Sequence, residues 1–389
     1  MRLGRAGGLA ALVLLGGCLE APELTHAPAD AWFSVGVVNS GGSIPQSSSA
    51  VKIAFLSGKP GASTVAARRV ASPPTVDGDA SDWAGLPEST IPLVSPGAIM
   101  GMTEAQWTEE YTGYYVSRGA CVAGEPCTRV PRYDYGIDRI RVRVAYDDEH
   151  VWFLFRWSDP TESRAWRPWV WTAGAWAQDA TLDEDKLFLS FDAANFKPHD
   201  AVGCAAGCHV KENLGVFTDP IRSQRFSMHT NGAGQLVDGW TWRAARTGPL
   251  GLADDQFWNE VRIYGDCPDP PACAQACLTG RSPPCSVSMT QTNSDGLTPA
   301  SPKWMGEGGL ASNPAALFVS GGAPLAVPID TVTVPADGTR IPAVALQPPG
   351  LHRDDVTAAA RWADGTWTVE LRRSLVTDDP NDAQFPLRP

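Results

Sequence analysis

The clearest pattern in the chain is an alternation of apolar and polar positions of the kind found in β-strands. Ile140, Val142 and Val144 alternate with arginines, and the polar run 146–150 separates them from the apolar stretch 151–157. Because successive side chains of a strand point to opposite faces, these two stretches predict a hairpin with one buried face.

Similar patterns occur on both sides of this hairpin. Residues 187–191 form another apolar stretch, and Trp367, Val369 and Leu371 alternate with polar residues after a turn at 363–365. No helical period competes over any long window. We therefore expect an all-β fold, for which a β-sandwich is the simplest architecture.

The N-terminal residues predict export. Residues 1–17 combine a positive start with a short apolar run and end in Leu15-Gly16-Gly17, directly before Cys18. This arrangement is typical of a lipoprotein signal peptide, after which Cys18 would carry lipid and anchor the mature chain to a membrane. Ordinary secretion with loss of Cys18 is the alternative. Either process places the protein in the cell envelope, facing the periplasm or the outer membrane.

The remaining chain divides by composition. Residues 18–70 contain Gly- and Ser-rich stretches and predict a flexible tether, whereas residues 71–389 carry the strand patterns of a folded domain. Within it, residues 250–350 are rich in Pro, Gly and Cys and predict a long disulfide-stapled insertion. The net charge is −12 and only six residues are lysine, so no basic patch favours nucleic acid as a partner.

A short cysteine-histidine motif predicts a cofactor. Cys204 and Cys208 are separated by three residues, and His209 follows directly. Two thiols can add to the vinyl groups of haem, and an adjacent imidazole can ligate its iron. The usual spacing is two residues, so the motif alone also fits a short-loop disulfide beside a surface histidine.

The other cysteines form an even set. Without Cys18 and the motif pair, six cysteines remain in a chain predicted to be exported, which favours disulfides over a zinc site. Cys121–Cys127 would close a small loop. The pairing of the other four stays open among three possibilities; they are Cys267, Cys273, Cys277 and Cys285.

Five segments, in order, resemble the haem-binding domain shared by ethylbenzene dehydrogenase gamma subunits, related DMSO-reductase-type enzymes and a set of exported c-type cytochromes. These segments are residues 76–83, 142–160, 203–209, 240–246 with 254–255, and 355–375. The resemblance implies an immunoglobulin-like β-sandwich that holds one haem, covalently in the c-type members. In the gamma subunits a lysine from strands beyond this region ligates the iron, and this chain offers none after Phe385.

The distal iron ligand must then come from elsewhere or be missing, which would leave the iron five-coordinate. Sulfur or imidazole is expected on that side of the ring, and Met228 is our assignment because it lies between the motif and an aromatic segment. His229 and Met305 are the alternatives. Any single methionine can equally fill a hydrophobic core.

Tryptophans supply further candidates for binding. Trp240 and Trp242 are two residues apart, so on a strand they share a face and could pack against a porphyrin or form ordinary core. A Trp-rich loop at 166–176 is either a binding surface or a cover for one end of the domain.

Two functions follow from these features. The first is a lipid-anchored monohaem c-type cytochrome that carries single electrons to or from a redox partner protein at the bacterial cell envelope, without being an enzyme itself. The second is a haem-free surface lipoprotein that binds a ligand such as a carbohydrate. A haem subunit of a larger oxidoreductase is a third possibility.

Overall fold

Strands make up nearly all of the regular structure. The structure, a computed structural model, describes residues 27–28, 33–39, 52–55, 65, 67–92, 103–117, 121–127, 139–179, 182–196, 230, 232–259, 263–264, 289–312, 314–349 and 352–388. Within these residues no helix is both long and apolar enough to cross a membrane.

The strands are β1 (Ala27–Pro28), β2 (Phe33–Asn39), β3 (Lys52–Phe55), β4 (Ala67–Arg69), β5 (Ser89–Pro92), β6 (Arg139–Tyr146), β7 (His150–Ser158), β8 (Trp169–Thr172), β9 (Ala175–Gln178), β10 (Lys186–Ala194), β11 (Leu236–Arg243), β12 (Leu252–Trp258), β13 (Ile263–Tyr264), β14 (Thr290–Thr292), β15 (Trp304–Gly306), β16 (Ala326–Pro328), β17 (Arg340–Ile341), β18 (Val344–Leu346), β19 (Val356–Ala363), β20 (Thr366–Ser374) and β21 (Leu387–Arg388). The α-helix α1 spans Glu104–Ser117, and short 3₁₀ helices span Ala80–Trp83, Gly248–Leu250 and Leu310–Ser312.

One curled, open sheet of 12 strands forms the main body. Its order is β3-β2-β10-β11-β12-β19-β20-β7-β6-β4, with β13 paired to β12 and β5 to β6. Curling brings Phe153 of β7 against Trp240 of β11, with ring centroids 5.7 Å apart. The two halves of the sheet therefore share one core. The prediction of an all-β fold is confirmed at this level, and the immunoglobulin-like sandwich stays a prediction.

The predicted hairpin is present, and the predicted turn at 363–365 joins a second hairpin. Strands β6 and β7 pair with Val144 opposite Phe153, and Asp147 stabilises their turn by accepting a hydrogen bond from the His150 backbone N–H at 2.7 Å. Strands β19 and β20 meet at a two-residue turn, in which Asp364 and Gly365 both have positive φ. Such turns match the right-handed twist of the strands they join.

Helix α1 was not expected, because the sequence pattern predicted no long helix. Its start is fixed by a capping box, in which the Gln106 N–H donates to the Thr103 hydroxyl and the Thr103 N–H donates to the Gln106 side chain. Its hydrophobic period is weak, because Trp107 is followed at helical spacing only by tyrosines. The Thr103-x-x-Gln106 spacing was the signal available in the sequence.

A second, smaller group of strands lies beside the main sheet, and we call it the small lobe. It contains the three-stranded sheet β17-β8-β9 and the pairs β14–β18 and β15–β16. Its own core consists of Trp169, Leu317, Ile341, Ala343 and Ala345. The Trp-rich loop therefore packs against residues of the predicted insertion. The insertion begins later than predicted, because β12, at the start of the 250–350 range, belongs to the main sheet.

One predicted disulfide is confirmed. Cys121 and Cys127 are bonded to each other, which closes the small loop expected from their spacing. The cysteines of the insertion and Cys18 lie outside the described residues, so their predicted pairing and lipidation stay predictions.

Candidate functional site

The cysteine-histidine motif belongs to the connection between two neighbouring strands of the main sheet. Strands β10 and β11 pair antiparallel, with Ala194 opposite Leu236, so residues 195–235 leave and re-enter the sheet at the same end. We call this the connection end. The motif and the predicted distal ligands Met228 and His229 lie outside the described residues, and their roles stay predictions.

Both ends of the connection are held to the sheet. The Phe196 N–H donates to a side-chain oxygen of Asp192 at 2.9 Å, and the Thr230 N–H donates to the Asn259 carbonyl at 2.8 Å. Phe196 and Thr230 are fully buried. The connection is therefore anchored directly before and after the segment that carries the motif.

Strand β11, which follows the connection, presents different residues on its two faces. On the inner face, Trp240 and Trp242 are fully buried, as their spacing predicted. Trp240 packs against Phe191 with a centroid distance of 4.7 Å, and Trp242 packs against Trp367 at 5.0 Å. Both indoles thus take part in the aromatic core, and their contact with a haem stays a prediction.

On the outer face of the same strand, Gly239 is required by close packing. A Cβ atom at this position would lie 2.4 Å from a ring carbon of Trp258, which is itself fully buried. Trp258 stacks on Phe188 with a centroid distance of 5.7 Å. An aromatic pair therefore covers the outer face near the connection end.

Met305, the third candidate iron ligand, lies in the small lobe. It belongs to β15 and packs, partly buried, against the core that contains Trp169 and Leu317. This position matches the core-filling role that a single methionine usually has.

The most unusual chemistry of the described residues is a buried charge cluster, which we call the Arg373 cluster. Arg373 of β20 lies inside the main sheet with no exposed side-chain surface, and its Nη1 is 2.6 Å from an Asp238 carboxylate oxygen. The same nitrogen is 3.6 Å from Asp382 and 4.0 Å from Asp255. One guanidinium group therefore faces three buried carboxyl groups.

The cluster ties the C-terminal segment to the sheet. Arg373 donates to the Ala383 carbonyl, and the Ala383 N–H donates to Asp238 at 2.9 Å. The guanidinium also lies 4.7 Å from the Trp240 ring centroid and 5.1 Å from that of Phe385. Charge, hydrogen bonds and aromatic packing thus converge near the connection end, because Asp238 lies directly opposite Phe191 in β10.

The three acids of the cluster are poorly compensated by one cation. Burial raises the pKa of Asp238, and burial together with the Asp238 charge raises the pKa of Asp255 well above its ordinary value. The same two causes raise the pKa of Asp382 to about 8. Near neutral pH the cluster therefore holds extra protons.

The Arg373 cluster is better suited to binding protons than to binding a metal ion. Oxygens of Asp238, Asp255 and Asp382 lie within 4.8 Å of one another, which resembles a ligand set. The Arg373 guanidinium, however, already lies between them as the counter-cation, and a second cation would be repelled by it. Buried oxygens of Asp238 and Asp255 without a hydrogen-bond partner are consistent with carboxyl groups that share protons.

Sequence reasoning missed the Arg373 cluster although part of its signal was present. Asp238 has the same strand parity as Trp240 and Trp242, and Arg373 has the same parity as Val369 and Leu371. A charged residue on the apolar face of a strand predicts a buried ion pair. The partner, however, follows only from the curling of the sheet.

A cavity of about 330 Å³ lies beside the small lobe. Apolar side chains form most of its wall, and two arginines, Arg164 and Arg340, contribute to its lining. Arg164 also stacks on Trp367 at 4.9 Å and contacts Glu162. The lining therefore combines apolar residues with two cationic ones.

Comparison with known proteins identifies the family. No curated protein matches this sequence. The family described as ethylbenzene dehydrogenase matches residues 80–389, which include the connection, the Arg373 cluster and the small lobe. The chain therefore belongs to the ethylbenzene dehydrogenase family.

Proposed function

We propose that the protein is a lipid-anchored monohaem c-type cytochrome that carries single electrons at the bacterial cell envelope. The observation that carries the proposal is the position of Cys204, Cys208 and His209 on one connection of a domain of this family. Because Cys121 and Cys127 are already joined to each other, they do not compete for the haem. We also propose that the curled sheet is an immunoglobulin-like sandwich.

The donor set fits haem c. Cys204 and Cys208 would hold the ring through two thioether bonds, and the imidazole of His209 would ligate the iron. Met228 is our distal ligand, with His229 as the nearest alternative. We rank Met305 lower because it packs in the small-lobe core. A bound haem supplies reversible one-electron transfer.

The protein's own residues would orient the motif and exclude water from it. The hydrogen bonds of Phe196 and Thr230 hold the two described ends of the connection at the sheet, and the core around Trp240 supplies a rigid apolar surface. A rigid, apolar surrounding lowers the structural change that accompanies electron transfer and influences the potential. Trp240 and Trp242 would contribute to haem binding as part of this apolar core.

The lipid anchor and the partner belong to the same proposal. Cys18 would carry the lipid, and the tether 18–70 would allow the domain to reach a redox partner protein at the envelope. We propose no catalytic reaction for the chain itself, although the family is named after an enzyme. The family name favours one form of this proposal, in which the protein is a haem subunit of a larger oxidoreductase.

A haem stain after denaturing electrophoresis tests the proposal. The full chain, produced with a haem-attachment system, should keep its haem, and Cys204→Ala with Cys208→Ala should lose it. The matched control, Cys121→Ser with Cys127→Ser, removes two other cysteines and should keep the stain. Loss of haem in the control but not in the motif variant would refute the assignment.

The cavity beside the small lobe supports a second candidate, a haem-free binding protein. Its two arginines and apolar wall would take a small amphipathic carboxylate. Under this alternative Cys204 and Cys208 form a disulfide and the protein is colourless. Arg340→Gln should then weaken ligand binding, whereas it should leave the haem stain unchanged if the cytochrome proposal is right.

A further inference from the structure

The outer face of the main sheet carries a row of arginines for which the described residues provide no ion-pair partner. Directly opposite positions place Arg141 of β6 next to Arg156 of β7, Arg156 next to Thr368 of β20, and Thr368 next to Arg361 of β19. Residues opposite each other across strands share one face. The inward neighbours of these arginines, such as Val142 and Phe155, are core residues, so the row faces outward.

This arrangement is unfavourable for the folded protein alone. Like charges directly opposite each other in an antiparallel pair destabilise a sheet. Burial, followed by the charge of Arg141, lowers the pKa of Arg156, and the Arg156 Nε is buried without a hydrogen-bond partner. The row therefore destabilises the folded protein, and a contribution to stability does not explain why these arginines are present.

Neutralisation from within the described residues is incomplete. Glu88 lies at this face, and it pairs with the neighbouring Arg143 at 3.2 Å. Among the residues that the structure describes, no ion pair joins a carboxylate to Arg141, Arg156 or Arg361. Arg361 is exposed, and the other two are half-buried. A local cationic surface thus exists in a chain whose net charge is −12.

The borders of the row define a surface. The opening segment covers the adjacent part of the sheet, where Trp83 packs with Trp152 and Leu154 and donates to Glu370 at 2.5 Å. Leu154 precedes Arg156 by two residues on the same face, and Gly78 of the opening segment approaches Arg361, since a Cβ atom added to Gly78 would lie 3.3 Å from the Arg361 Cβ. The arginine row therefore begins beside this intramolecular packing and meets it at Arg361.

We propose that the Arg141–Arg156–Arg361 row is a docking surface for an acidic protein partner. Arginine presents a planar fork that pairs with carboxylates in two parallel hydrogen bonds. The chain as a whole is acidic and repels such a partner, whereas this face attracts and orients it. The proposal does not depend on the haem.

This surface is less suited to binding a membrane than to binding an acidic protein. Surfaces that bind anionic lipids usually combine cationic side chains with apolar ones that enter the bilayer. Of the large hydrophobic side chains that are exposed among the described residues, none lies on β6, β7, β19 or β20. A flat, polar, arginine-bearing face fits carboxylates on a protein better.

Binding of a short polyglutamate peptide tests the docking surface. The full chain should carry Cys18→Ser, so that no lipid contributes, and should bind the peptide at low salt. The double variant Arg141→Gln, Arg156→Gln should weaken binding about tenfold, as expected for the loss of two charge pairs at a partly exposed surface. The control Arg69→Gln removes an arginine that already pairs with Asp148, and it should leave binding unchanged.

Two further measurements make the outcome unambiguous. Relief of the Arg141–Arg156 repulsion should leave the melting temperature of the double variant at or above that of the parent. If that variant fails to fold, the exposed Arg361→Gln should weaken peptide binding by a smaller factor. No peptide binding, equal losses in the row and control variants, or binding only to phosphatidylglycerol vesicles would each overturn the proposal.

Discussion

Replacement of Asp382 by Asn should change how the stability of the protein depends on pH. Asp382 is 7 % exposed, and burial together with the Asp238 charge raises its pKa to about 8. In the unfolded chain the same carboxyl returns to a pKa of about 3.9. Between these two values the folded state binds one more proton than the unfolded state, so stability falls as the pH rises.

The size of this effect follows from the two pKa values. For one group with a folded-state pKa of about 8, the free energy of unfolding falls by roughly 2 kcal/mol between pH 6 and pH 8. Asparagine has nearly the same volume but cannot ionise. It can also keep a hydrogen bond with Thr377, whose hydroxyl lies 2.6 Å from the carboxyl group. The variant should therefore lack this contribution to the pH dependence.

Urea unfolding at several pH values between 6 and 8 measures the effect. The stability of Asp382→Asn relative to the parent should increase by roughly 2 kcal/mol across this range. Asp354→Asn is the matched control, because it removes the carboxyl group of an exposed residue. Parallel curves for Asp382→Asn and the parent, or a relative loss of stability towards pH 8, would refute the reasoning.

Three other substitutions test the cluster, the sheet and the iron ligand. Arg373→Met leaves buried carboxylates without their cation and should cost about 3 kcal/mol in urea unfolding, with partial recovery when Asp238→Asn is added; no loss would mean that the acids are already neutral. Gly239→Ala places a Cβ atom against a buried indole and should cost about 2 kcal/mol, whereas Gly232→Ala, with open space around it, should cost far less. Met228→Ala should remove the weak charge-transfer absorption of a thioether ligand at the red end of the visible spectrum and lower the potential; an unchanged spectrum would reject Met228 as the distal ligand.

The strands were predictable because their sequence pattern is local. Each strand of the β6–β7 hairpin has a clear apolar face, and the turn between them contains Asp147, which caps two backbone N–H groups. Pairing of neighbours in sequence then follows from chain connectivity. The same reasoning correctly placed Trp240 and Trp242 on one face.

Long-range contacts were not predictable from these patterns. Asp238 and Arg373 are 135 residues apart, and their contact depends on how far the sheet curls. The arginine row likewise depends on the register between β7 and β20, which are far apart in sequence. Local alternation fixes which face a residue occupies, but it does not determine which residue lies opposite.

Helix α1 illustrates the opposite case, in which a local signal existed but the periodicity concealed it. Its hydrophobic period is weak, because Trp107 is followed at helical spacing only by tyrosines, and the pattern of apolar residues therefore did not indicate a helix. The capping box formed by Thr103 and Gln106 marks its start independently of hydrophobicity.

The central claim, covalent haem on the connection between β10 and β11, is tested most directly by peptide mass. The full chain should be produced with a haem-attachment system and digested with trypsin under denaturing conditions. The account predicts that the peptide containing Cys204, Cys208 and His209 carries the mass of one haem and has no thiol left to alkylate. The bare peptide mass, with two alkylated thiols or with Cys204 bonded to Cys208, would contradict it.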